Sequence, residues 1–387
     1  MRKSGKDTHE NESQQPSEVE NLSKDAGEAT EGETPRFEMR PTRTFLPWLA
    51  NTGSSIAFTT YQAGKIFMVG TNRETGRLSV FERSFPRSMG FGVDPSGNTL
   101  WLSTLFQLWR FENFLEPGQN QDGYDAVYVP LDGRTTGDVD IHDVCPSPSR
   151  SAPPTFVVTR FNCLATLDHR NSFKPVWKPP FIDRIAAEDR CHLNGMAIRG
   201  EKPAFVTCVS TTNVAGGWRD HRADGGVVLD VESGAEVATG LSMPHAPRWH
   251  DGQLYILQAG TGEFGRIDMK SGAFEPICFL PGFARGVAFT GTHAVIGVSR
   301  PRHGDMFEGL AIKDRLEADK IGPRTMIAVV NLETGDIEHS LDIEGNAVRE
   351  LYDVAILPGV RRPMLIGFKS DDVRFMIRPT PGAMAET

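Results

Sequence analysis

A five-residue turn motif recurs along this chain and constrains its fold more than any other feature of the sequence. Each copy has Asp or Asn first, Ser or Thr fourth and Gly fifth, and each lies between two β-rich runs. The copies are Asn72–Gly76, Asp230–Gly234, Asp268–Gly272 and Asn331–Gly335. The first side chain can accept hydrogen bonds from backbone amides of the turn, and Gly tolerates the positive φ that closes a hairpin. The motif therefore predicts a series of similar β-hairpins.

A second repeat precedes the hairpins and indicates how they are arranged. Six short β-rich segments each come before a turn and a hairpin: Gly90–Val93, Asp143–Pro146, Gly195–Ile198, Pro247–His250, Gly286–Phe289 and Asp353–Ile356. Successive segments begin roughly 40 to 65 residues apart, which is the period of propeller blades. We therefore expect an all-β chain that forms a single β-propeller of four-stranded antiparallel blades, with these segments as the innermost strands.

The blade count depends on the hairpins that supply the second and third strands. Seven candidate hairpins begin near Ile56, Thr99, Thr155, Ala204, Leu254, His293 and Leu365. Seven hairpins favour seven blades, and the missing inner strand is then Phe45–Leu49, with residues near Phe37 closing the last blade as its outermost strand. Six blades with irregular ends is the alternative.

The N-terminal residues 1–36 differ from the rest of the chain in composition. They are rich in Glu, Ser, Gln and Lys, without an aromatic side chain and with almost no aliphatic ones. Ordering such a segment costs backbone entropy that no apolar burial offsets. We expect a disordered acidic tail over 1–36 and the β-propeller domain over 37–387.

Charge and composition exclude several classes of partner. The formal net charge is -9, so no overall basic field is present to attract nucleic acid. No stretch approaches the roughly 18 apolar residues that span a membrane, and the N-terminus lacks the apolar core of a signal peptide. The five cysteines are scattered without a C-x-x-C pair, which is typical of reduced core residues. We expect a cytoplasmic protein with neither a nucleic acid nor a membrane as partner, and the sequence does not indicate its oligomeric state.

Polar residues are concentrated where a propeller would bring them together. The residues before each inner strand and the loops between second and third strands converge at one mouth of the central channel. The first group contains Arg87, Met89, Asp140, His142, His192, Asn194, His245, Ala246, Arg285, Glu350 and Tyr352. The second group contains Tyr61, Gln62, Arg160, Asn162, Asn213, Trp218, Arg219, Asp220, Arg300, Arg302 and His303. This mouth is the expected functional site.

Three histidines at the mouth suggest a metal site. His142, His192 and His245 come from three consecutive blades, and neutral imidazoles suit a divalent metal such as Zn, Fe or Cu. Three ligands with an open fourth position is the geometry of a catalytic metal. The alternative is that each His caps a strand or bonds a loop carbonyl, because the three do not share one register in the aligned strands. Calcium is a less favoured ion, for which the oxygen ligands are Asp140, Asp143, Glu350 and Asp353. His250, His169 and His339 lie away from the mouth and are expected to be structural or solvated.

Several longer segments resemble one protein family. They are Thr60–Lys65, Arg160–Thr166, Cys191–Gly195, Gly216–Arg219, Ser242–His250 and Pro281–Gly286. On these segments the chain resembles a family of conserved hypothetical bacterial proteins of unknown function with a predicted β-propeller fold. The resemblance implies the fold and no particular activity. A looser analogy, of fold alone, is to the propeller lyase that cleaves peptidyl-hydroxyglycine at a zinc site of three histidines.

The functional hypothesis is a metal-dependent enzyme (lyase, hydrolase or oxidoreductase) that acts at the channel mouth on a small polar molecule or a modified peptide end. Tyr352 or Glu350 is the candidate acid or base, and Arg285 the electrostatic clamp. The candidate substrate-binding residues are Tyr61, Gln62, Arg160, Asn162, Asn194, Trp218, Arg219 and Arg300. The arginines could instead pair with neighbouring carboxylates, and the alternative function is a non-catalytic propeller that binds a ligand or a protein.

A long insertion follows the sixth hairpin's first strand. Between Arg300 and Pro323, the stretch Ile312–Lys320 is charged and free of Gly and Pro, which favours a short helix. Because a connection between second and third strands lies on the mouth face, we expect this insertion to act as a lid. A helix resting on a neighbouring blade is the alternative.

Overall fold

The computed structural model describes residues 37–149, 152–301 and 304–379, with the side chains of residues 304 and 305 left out. The expected disordered tail over 1–36 therefore lies outside the described residues, as do Arg302 and His303. The described chain is a six-bladed β-propeller.

Each blade is a sheet whose strands follow one another from the channel outward. Blade 1 contains β25 (Val354–Leu357), β2 (Ser55–Thr60), β3 (Lys65–Asn72) and β4 (Arg77–Ser84). Blade 2 contains β5 (Phe91–Val93), β6 (Thr99–Ser103), β7 (Gln107–Asn113), β8 (Ala126–Thr135) and β26 (Pro363–Leu365). Blade 3 contains β9 (Ile141–Cys145), β10 (Thr155–Val158), β11 (Cys163–Thr166) and β12 (Lys174–Trp177).

The remaining three blades follow in chain order. Blade 4 contains β13 (Leu193–Arg199), β14 (Lys202–Cys208), β15 (Gly226–Asp230) and β16 (Glu236–Leu241). Blade 5 contains β17 (Pro244–His250), β18 (Gln253–Gln258), β19 (Glu263–Ile267) and β20 (Phe274–Phe279). Blade 6 contains β21 (Phe283–Thr290), β22 (His293–Ser299), β23 (Met326–Asn331), β24 (Ile337–Gly345) and β1 (Phe37–Pro41). Two α-helices, α1 (Phe45–Thr52) and α2 (Ala311–Asp319), and four 3-10 turns (Thr159–Phe161, Gly217–His221, Gly304–Phe307 and Asp371–Arg374) complete the described elements.

Both ends of the described chain close the ring. The inner strand of blade 1 is β25, from near the C-terminus, and it pairs antiparallel with β2. β1 pairs antiparallel with β24 and is the outermost strand of blade 6, as predicted for residues near Phe37. Each of the six predicted inner segments overlaps or adjoins an inner strand.

The preference for seven blades is wrong, and the structure shows why. Phe45–Leu49 is not an inner strand but part of helix α1, where Phe45 and Leu49 lie one turn apart and are both buried, an i, i+4 pair on one face. Gly53 ends this helix with a φ of 68°. The expected seventh hairpin near Leu365 is the single short strand β26, which pairs parallel with the edge of blade 2. Six blades, the alternative, is the observed count.

The core lies between neighbouring blades, whose sheets pack face to face. Between blades 6 and 1, Phe58 and Phe67 stack with ring centroids 5.0 Å apart, and Val295 and Ile327 pack against them. The five cysteines are free thiols, as predicted, and burial raises the pKa of Cys163 to about 12.

Glycine allows the inner strands to approach one another closely at the axis. A Cβ atom on Gly90 would lie 2.9 Å from the amide nitrogen of Asp143 on the next blade. A Cβ on Gly286 would lie 2.5 Å from the amide nitrogen of Val354. These positions are the first residues of the predicted inner segments, and a side chain there would push two blades apart.

Side-chain hydroxyl groups link four pairs of neighbouring blades in the described chain. In each pair, a residue within one position of the end of the second strand donates to a carbonyl on the inner strand of the next blade or on the connection that leads to it. The bonds are Thr59 Oγ1 to Met89 O (2.6 Å), Ser103 Oγ to Ile141 O (2.9 Å), Thr159 Oγ1 to Leu193 O (2.6 Å) and Ser299 Oγ to Leu351 O (3.0 Å). These bonds fix the inner strands that carry the site.

Candidate functional site

The candidate site lies at the channel mouth, on connections that enter the inner strands. Three of these connections place a residue with positive φ three positions before the aligned Gly90, Asp143 and Gly195: Arg87 (51°), Asp140 (61°) and His192 (52°). For residues other than Gly such a conformation costs energy, and it persists where the surrounding structure enforces it. The strained positions are therefore a shared feature of three neighbouring blades at the mouth.

His142, on β9, lies at the centre of this group. Its Nδ1 atom is 3.1 Å from the backbone oxygen of Asp140. Its ring is edge-on to those of His192, at a centroid distance of 4.9 Å, and Tyr352, at 5.5 Å. Burial lowers the pKa of His142 to about 4, although the nearby Asp140 opposes the shift. The imidazole is therefore neutral at physiological pH.

His192 is held by a carboxylate and an indole. Its Nδ1 atom lies 3.1 Å from both oxygens of Asp189, and Trp218 donates its Nε1–H to Asp189 Oδ2 at 2.8 Å. The Trp218 ring also stacks on the imidazole at 4.2 Å. Burial works to raise the pKa of Asp189, but the charge and hydrogen bond of His192 outweigh it and leave the pKa lowered. Asp189 is thus an ionised group that orients the imidazole.

His245, on β17, is bonded in a similar way. Its Nδ1 atom lies 2.8 Å from the backbone oxygen of Met243, and its ring is edge-on to Phe283 at 5.7 Å. Burial, followed by the charge of Arg285, lowers the pKa of His245 well below its usual value. In all three histidines, Nδ1 faces an oxygen acceptor and donates to it, so Nε2 is the ring atom that is left to contact a ligand.

The three histidines are close to one another but not yet in coordination geometry. His142 and His192 are in ring contact, and His142 and His245 line the same cavity. Within the described ranges, only His293, Glu338 and His339 have three ligand atoms all within 4.8 Å of one another. The mouth histidines therefore form a cluster whose ligand atoms are more widely separated than in a bound metal site.

The candidate acid, base and clamp lie beside the histidines. Arg285, on β21, forms an ion pair with Glu350, whose side chain is 1% exposed. The guanidinium also lies over the ring of Tyr352, 5.2 Å from its centroid, and burial raises the pKa of Tyr352 well above its usual value. Pairing with a carboxylate is the alternative that the sequence left open for the arginines, and Arg285 adopts it.

A narrow cavity continues from the mouth into the channel. It is lined by His142, Asp143, Asn194, His245, Ala246, Arg248, Arg285, Tyr352 and Asp353. Its free space for water-sized molecules is about 10 Å³, enough for roughly one water molecule or ion. His142 and His245 therefore face a polar space of atomic rather than substrate size, while His192 reaches this region through its ring contact with His142.

An ion-pair layer closes the bottom of this cavity. Arg248, on β17, reaches across the channel and donates to Asp143 at 2.7 and 3.3 Å, and lies 3.6 Å from Asp353. Each carboxylate also accepts a backbone N–H from a neighbouring blade, Asp143 from Met196 and Asp353 from Phe91. Burial raises the pKa of Asp353 to about 7, with Arg248 opposing the shift and Asp143 adding to it.

Two of the predicted substrate-binding residues lie within this site. Asn194 lines the cavity, donates to the backbone oxygen of Pro244 at 2.9 Å and accepts from Thr207 at 2.7 Å. Tyr61 stacks on Tyr352 at 6.1 Å. Trp218 reaches the site through Asp189 and His192, as described above.

The other predicted substrate-binding residues have different surroundings. Asn162 is fully buried, and its side-chain oxygen accepts the backbone amides of Arg190 and Cys191, so its contacts are structural. Arg160 pairs with Asp138 at 3.1 Å. Gln62 is exposed, and Arg219 lies over the outer face of Trp218. Arg300 lies at a separate cleft on the outer side of blade 6, where it donates to the oxygens of Thr325 and Gly345.

The insertion after β22 contains the predicted helix, α2. Its apolar residues Leu310, Ile312 and Leu316 are buried against Val209, Met243, Ala259 and Phe283, which flank the mouth on blades 4 to 6. Phe307 stacks on Phe283, which in turn contacts His245. The insertion therefore borders the mouth beside His245.

Sequence reasoning missed Asp189 and Arg248. Asp189 lies three residues before His192, and only the positive φ values of these two residues, 40° and 52°, turn the carboxylate back to the imidazole. Arg248 had a visible signal, because it is a charged residue within a segment predicted to be an inner strand.

Two solved structures are similar over most of their length: a chain of a nidogen–laminin complex (TM-score 0.49, 10% identity, 79% of this chain and 98% of that chain) and a protein of unknown function from Bacteroides caccae (TM-score 0.47, 10% identity, 78% and 98%). No curated protein matches the sequence. None of the described helices is long and apolar enough to cross a membrane.

A family model covers most of the chain and confirms the resemblance to proteins of unknown function. It matches residues 43–366, from the start of α1 to the end of the last strand, and carries the description "Domain of unknown function (DUF4915)". The chain belongs to this family.

Proposed function

We propose that this protein is a metal-dependent enzyme whose divalent metal is bound by Nε2 of His142, His192 and His245 at the channel mouth. One observation carries the proposal. In all three histidines Nδ1 faces an oxygen acceptor, at 3.1, 3.1 and 2.8 Å. Metal-binding histidines in proteins are oriented in this way, because the second ring nitrogen donates to a carbonyl or carboxylate and fixes the tautomer.

The charges around the histidines favour a cation. Burial keeps His142 and His245 neutral, with lowered pKa values, so neither carries a proton that a metal must displace. Asp189 contributes a negative charge next to His192. Imidazole nitrogens select zinc, iron or copper over calcium.

Calcium is a weaker candidate at this site. The carboxylates that would bind it are Asp143, Asp353, Asp140 and Glu350. Asp143 and Asp353 share Arg248 and accept backbone amides, while Asp140 pairs with Arg87 and Glu350 with Arg285. A calcium ion would have to compete with these bonds for its oxygen ligands.

Metal binding requires a modest movement of the side chains. The ligand atoms of the three histidines do not all lie within 4.8 Å of one another, whereas ligands of a tetrahedral zinc lie about 2.0–2.1 Å from the ion. Binding of one ion would require Nε2 of the three imidazoles to approach one another while each Nδ1 keeps its oxygen acceptor. Asn194 and Tyr352 line the same cavity as His142 and His245 and would contact a substrate bound there.

When bound, a metal of this kind would supply Lewis acidity for a substrate oxygen or a water molecule. Tyr352 contributes a hydroxyl with a raised pKa, which remains protonated and donates a hydrogen bond to the substrate. Arg285, paired with Glu350, fixes the orientation of the Tyr352 ring rather than clamping the substrate directly. We propose that the insertion containing α2, which borders the mouth beside His245, acts as a lid. The substrate class is a small polar molecule or a modified peptide end.

The proposal is tested by the metal content of tag-free protein purified without chelators. Each of His142→Gln, His192→Gln and His245→Gln should lose one equivalent of metal relative to the wild type. His250→Gln is the matched control, since His250 also lies on an inner strand but stacks on Phe289 at 4.2 Å, away from the cavity. If all three variants retain the wild-type content, the mouth does not bind a metal and the non-catalytic binding function is favoured.

A further inference from the structure

A second group of metal-ligating side chains lies on blade 6, on the face opposite the channel mouth. His293 begins β22, and Glu338 and His339 are near the start of β24. β22 follows the turn from the inner to the second strand of the blade, and β24 follows the turn from the third to the fourth strand. In a propeller these turns lie on the face opposite the mouth, so this group is separate from the proposed active site.

The ligand atoms converge in this group. Nε2 of His293 is 2.9 Å from Oε2 of Glu338, and Nε2 of His339 is 3.9 Å from the same oxygen. The three ligand atoms all lie within 4.8 Å of one another. Small side-chain adjustments would therefore bring all three into contact with one ion.

The other polar atom of each side chain contacts a neighbouring side chain. Nδ1 of His339 is 2.7 Å from Oγ1 of Thr44, and Nδ1 of His293 is 3.4 Å from Oγ1 of Thr292. Asn331 donates to Oε1 of Glu338 at 2.8 Å. A metal site has this pattern, in which neighbouring groups orient the ligands and turn one atom of each toward the others. Here Nε2 of His293 and Oε2 of Glu338 bond each other, and an ion would replace that bond.

Trp48 shields the group from solvent. Its ring is stacked on that of His339 at 5.4 Å and lies edge-on to that of His293 at 5.7 Å. The exposed fractions of the side chains are 16% for His293, 14% for His339 and 37% for Glu338. The histidines are covered, and the carboxylate side is open to an entering ion.

We propose that His293, Glu338 and His339 bind a zinc-like divalent ion that fastens helix α1 to blade 6. Two imidazoles and one carboxylate are a common zinc ligand set, with water completing the tetrahedron. Thr44 and Trp48 belong to the segment that follows β1 and leads to blade 1, so the ion would stabilise the place where the propeller ring is closed. Because an ion that binds only the folded state stabilises that state, the melting temperature should rise with its concentration.

Without a metal, the same side chains form a hydrogen-bonded cluster in which Glu338 bridges two histidines. The metal site and the metal-free cluster differ in how replacing one His changes zinc binding. In a metal site, His293→Gln and His339→Gln each abolish binding of the ion, because two ligands hold zinc far more weakly than three. In a cluster without metal, the variants change stability but bind as much added zinc as the wild type.

The experiment is a zinc titration of the full-length, tag-free protein after chelator treatment, followed by calorimetry and by competition with a chromophoric chelator. The expected result is that His293→Gln and His339→Gln each bind one zinc fewer than the wild type and lose the zinc-dependent rise in melting temperature. His169→Gln, at an exposed turn, is the control and should behave as the wild type. β-Rich circular dichroism and a cooperative melt of the zinc-free variants show that they fold.

The outcomes separate this site from the mouth. If both sites bind, the wild type takes up two zinc ions, and the blade 6 and mouth variants each remove a different one. If only the mouth proposal fails, the wild type binds one ion and His339→Gln none. Unchanged zinc stoichiometry and melting shift in both His293→Gln and His339→Gln would overturn the proposed site on blade 6.

Discussion

The rings of His142 and His192 meet edge to face, with centroids 4.9 Å apart, although they come from different blades and from different positions relative to the aligned inner strands. His142 is one residue before Asp143 and lies on the strand, whereas His192 is three residues before Gly195 on the connection. The positive φ of His192 turns its side chain toward the axis. His142 and His192 therefore meet at the mouth even though they stand at different offsets from the aligned inner strands.

The contact of Asp189 with His192 should control metal affinity. Asp189→Asn removes the charged acceptor for Nδ1–H, and loss of such an orienting group typically weakens metal binding about 10–100-fold. Trp218→Phe keeps an aromatic ring on the imidazole but removes the N–H that bonds Asp189, so its effect should be smaller. Competition titration with a chelator measures the metal affinity of both variants. The control is Asp220→Asn, which changes an exposed carboxylate in the loop that holds Trp218. Equal affinities in Asp189→Asn and Asp220→Asn would contradict the role of Asp189.

The close approach of inner strands predicts that alanine substitutions at two glycines differ strongly in their effect on stability. Gly286→Ala places a Cβ 2.5 Å from the amide nitrogen of Val354 and 2.7 Å from Cα of Asp353. Because backbone atoms cannot move away cheaply, the expected loss of stability is about 1–3 kcal/mol. Gly322→Ala has no atom within 4 Å of the new Cβ and no positive φ, so it should be nearly neutral. Denaturant unfolding of both variants decides the matter, and equal stabilities would show that the axis is not tightly packed.

The hydroxyl bonds between neighbouring blades predict a difference in stability between two substitutions of Thr159. Thr159→Val removes the donor to the backbone oxygen of Leu193 and leaves a buried acceptor without that bond, at a cost of about 1–3 kcal/mol. Thr159→Ser retains the hydroxyl and should lose much less. The two unfolding free energies, measured side by side, test whether this bond holds blades 3 and 4 together, and the idea fails if Ser and Val cost the same.

The buried Asp353 predicts a pH dependence of stability. Its folded-state pKa of about 7 is above the unfolded value near 4, so the folded state binds the proton more tightly. The resulting stabilisation is fully present below about pH 4 and is lost as pH rises through about 7. Asp353→Asn cannot titrate, so its stability relative to the wild type should improve by roughly 2–3 kcal/mol between pH 5 and 8. Chemical unfolding at both pH values provides the test, and a constant difference between the two proteins would contradict it.

Much of the fold could be predicted because propeller blades repeat local chemistry. The hairpin turns and the inner-strand segments are short patterns that need no distant partner to be recognised. The ends were harder. Phe45–Leu49 is apolar and short, which fits a strand or a helix, and only packing against neighbouring strands decides for the helix. The segment near Leu365 resembles a hairpin start, but its partner is the edge of blade 2, more than 230 residues earlier.

The candidate site could be predicted as a region but not as a set of contacts. The mouth residues follow from topology, and His142, His245, Arg285 and Tyr352 line one cavity, but their functional roles stay predictions. The sequence could not show that Asn162 is buried and accepts two backbone amides, because a loop Asn can either face a ligand or bind the backbone. The sequence did not predict the group of His293, Glu338 and His339. His293 lies 45 residues before Glu338, and the two meet only because their strands belong to the same sheet in blade 6.

The proposed metal site is tested most directly by anomalous diffraction at the zinc, iron and copper absorption edges, from crystals of tag-free protein purified without chelators. If the mouth binds a metal, an anomalous peak is expected on the channel axis, within coordination distance of His142, His192 and His245, and it should disappear in His245→Gln. A structure with three ordered imidazoles at the mouth and no anomalous peak between them, in crystals grown with added zinc, would contradict it.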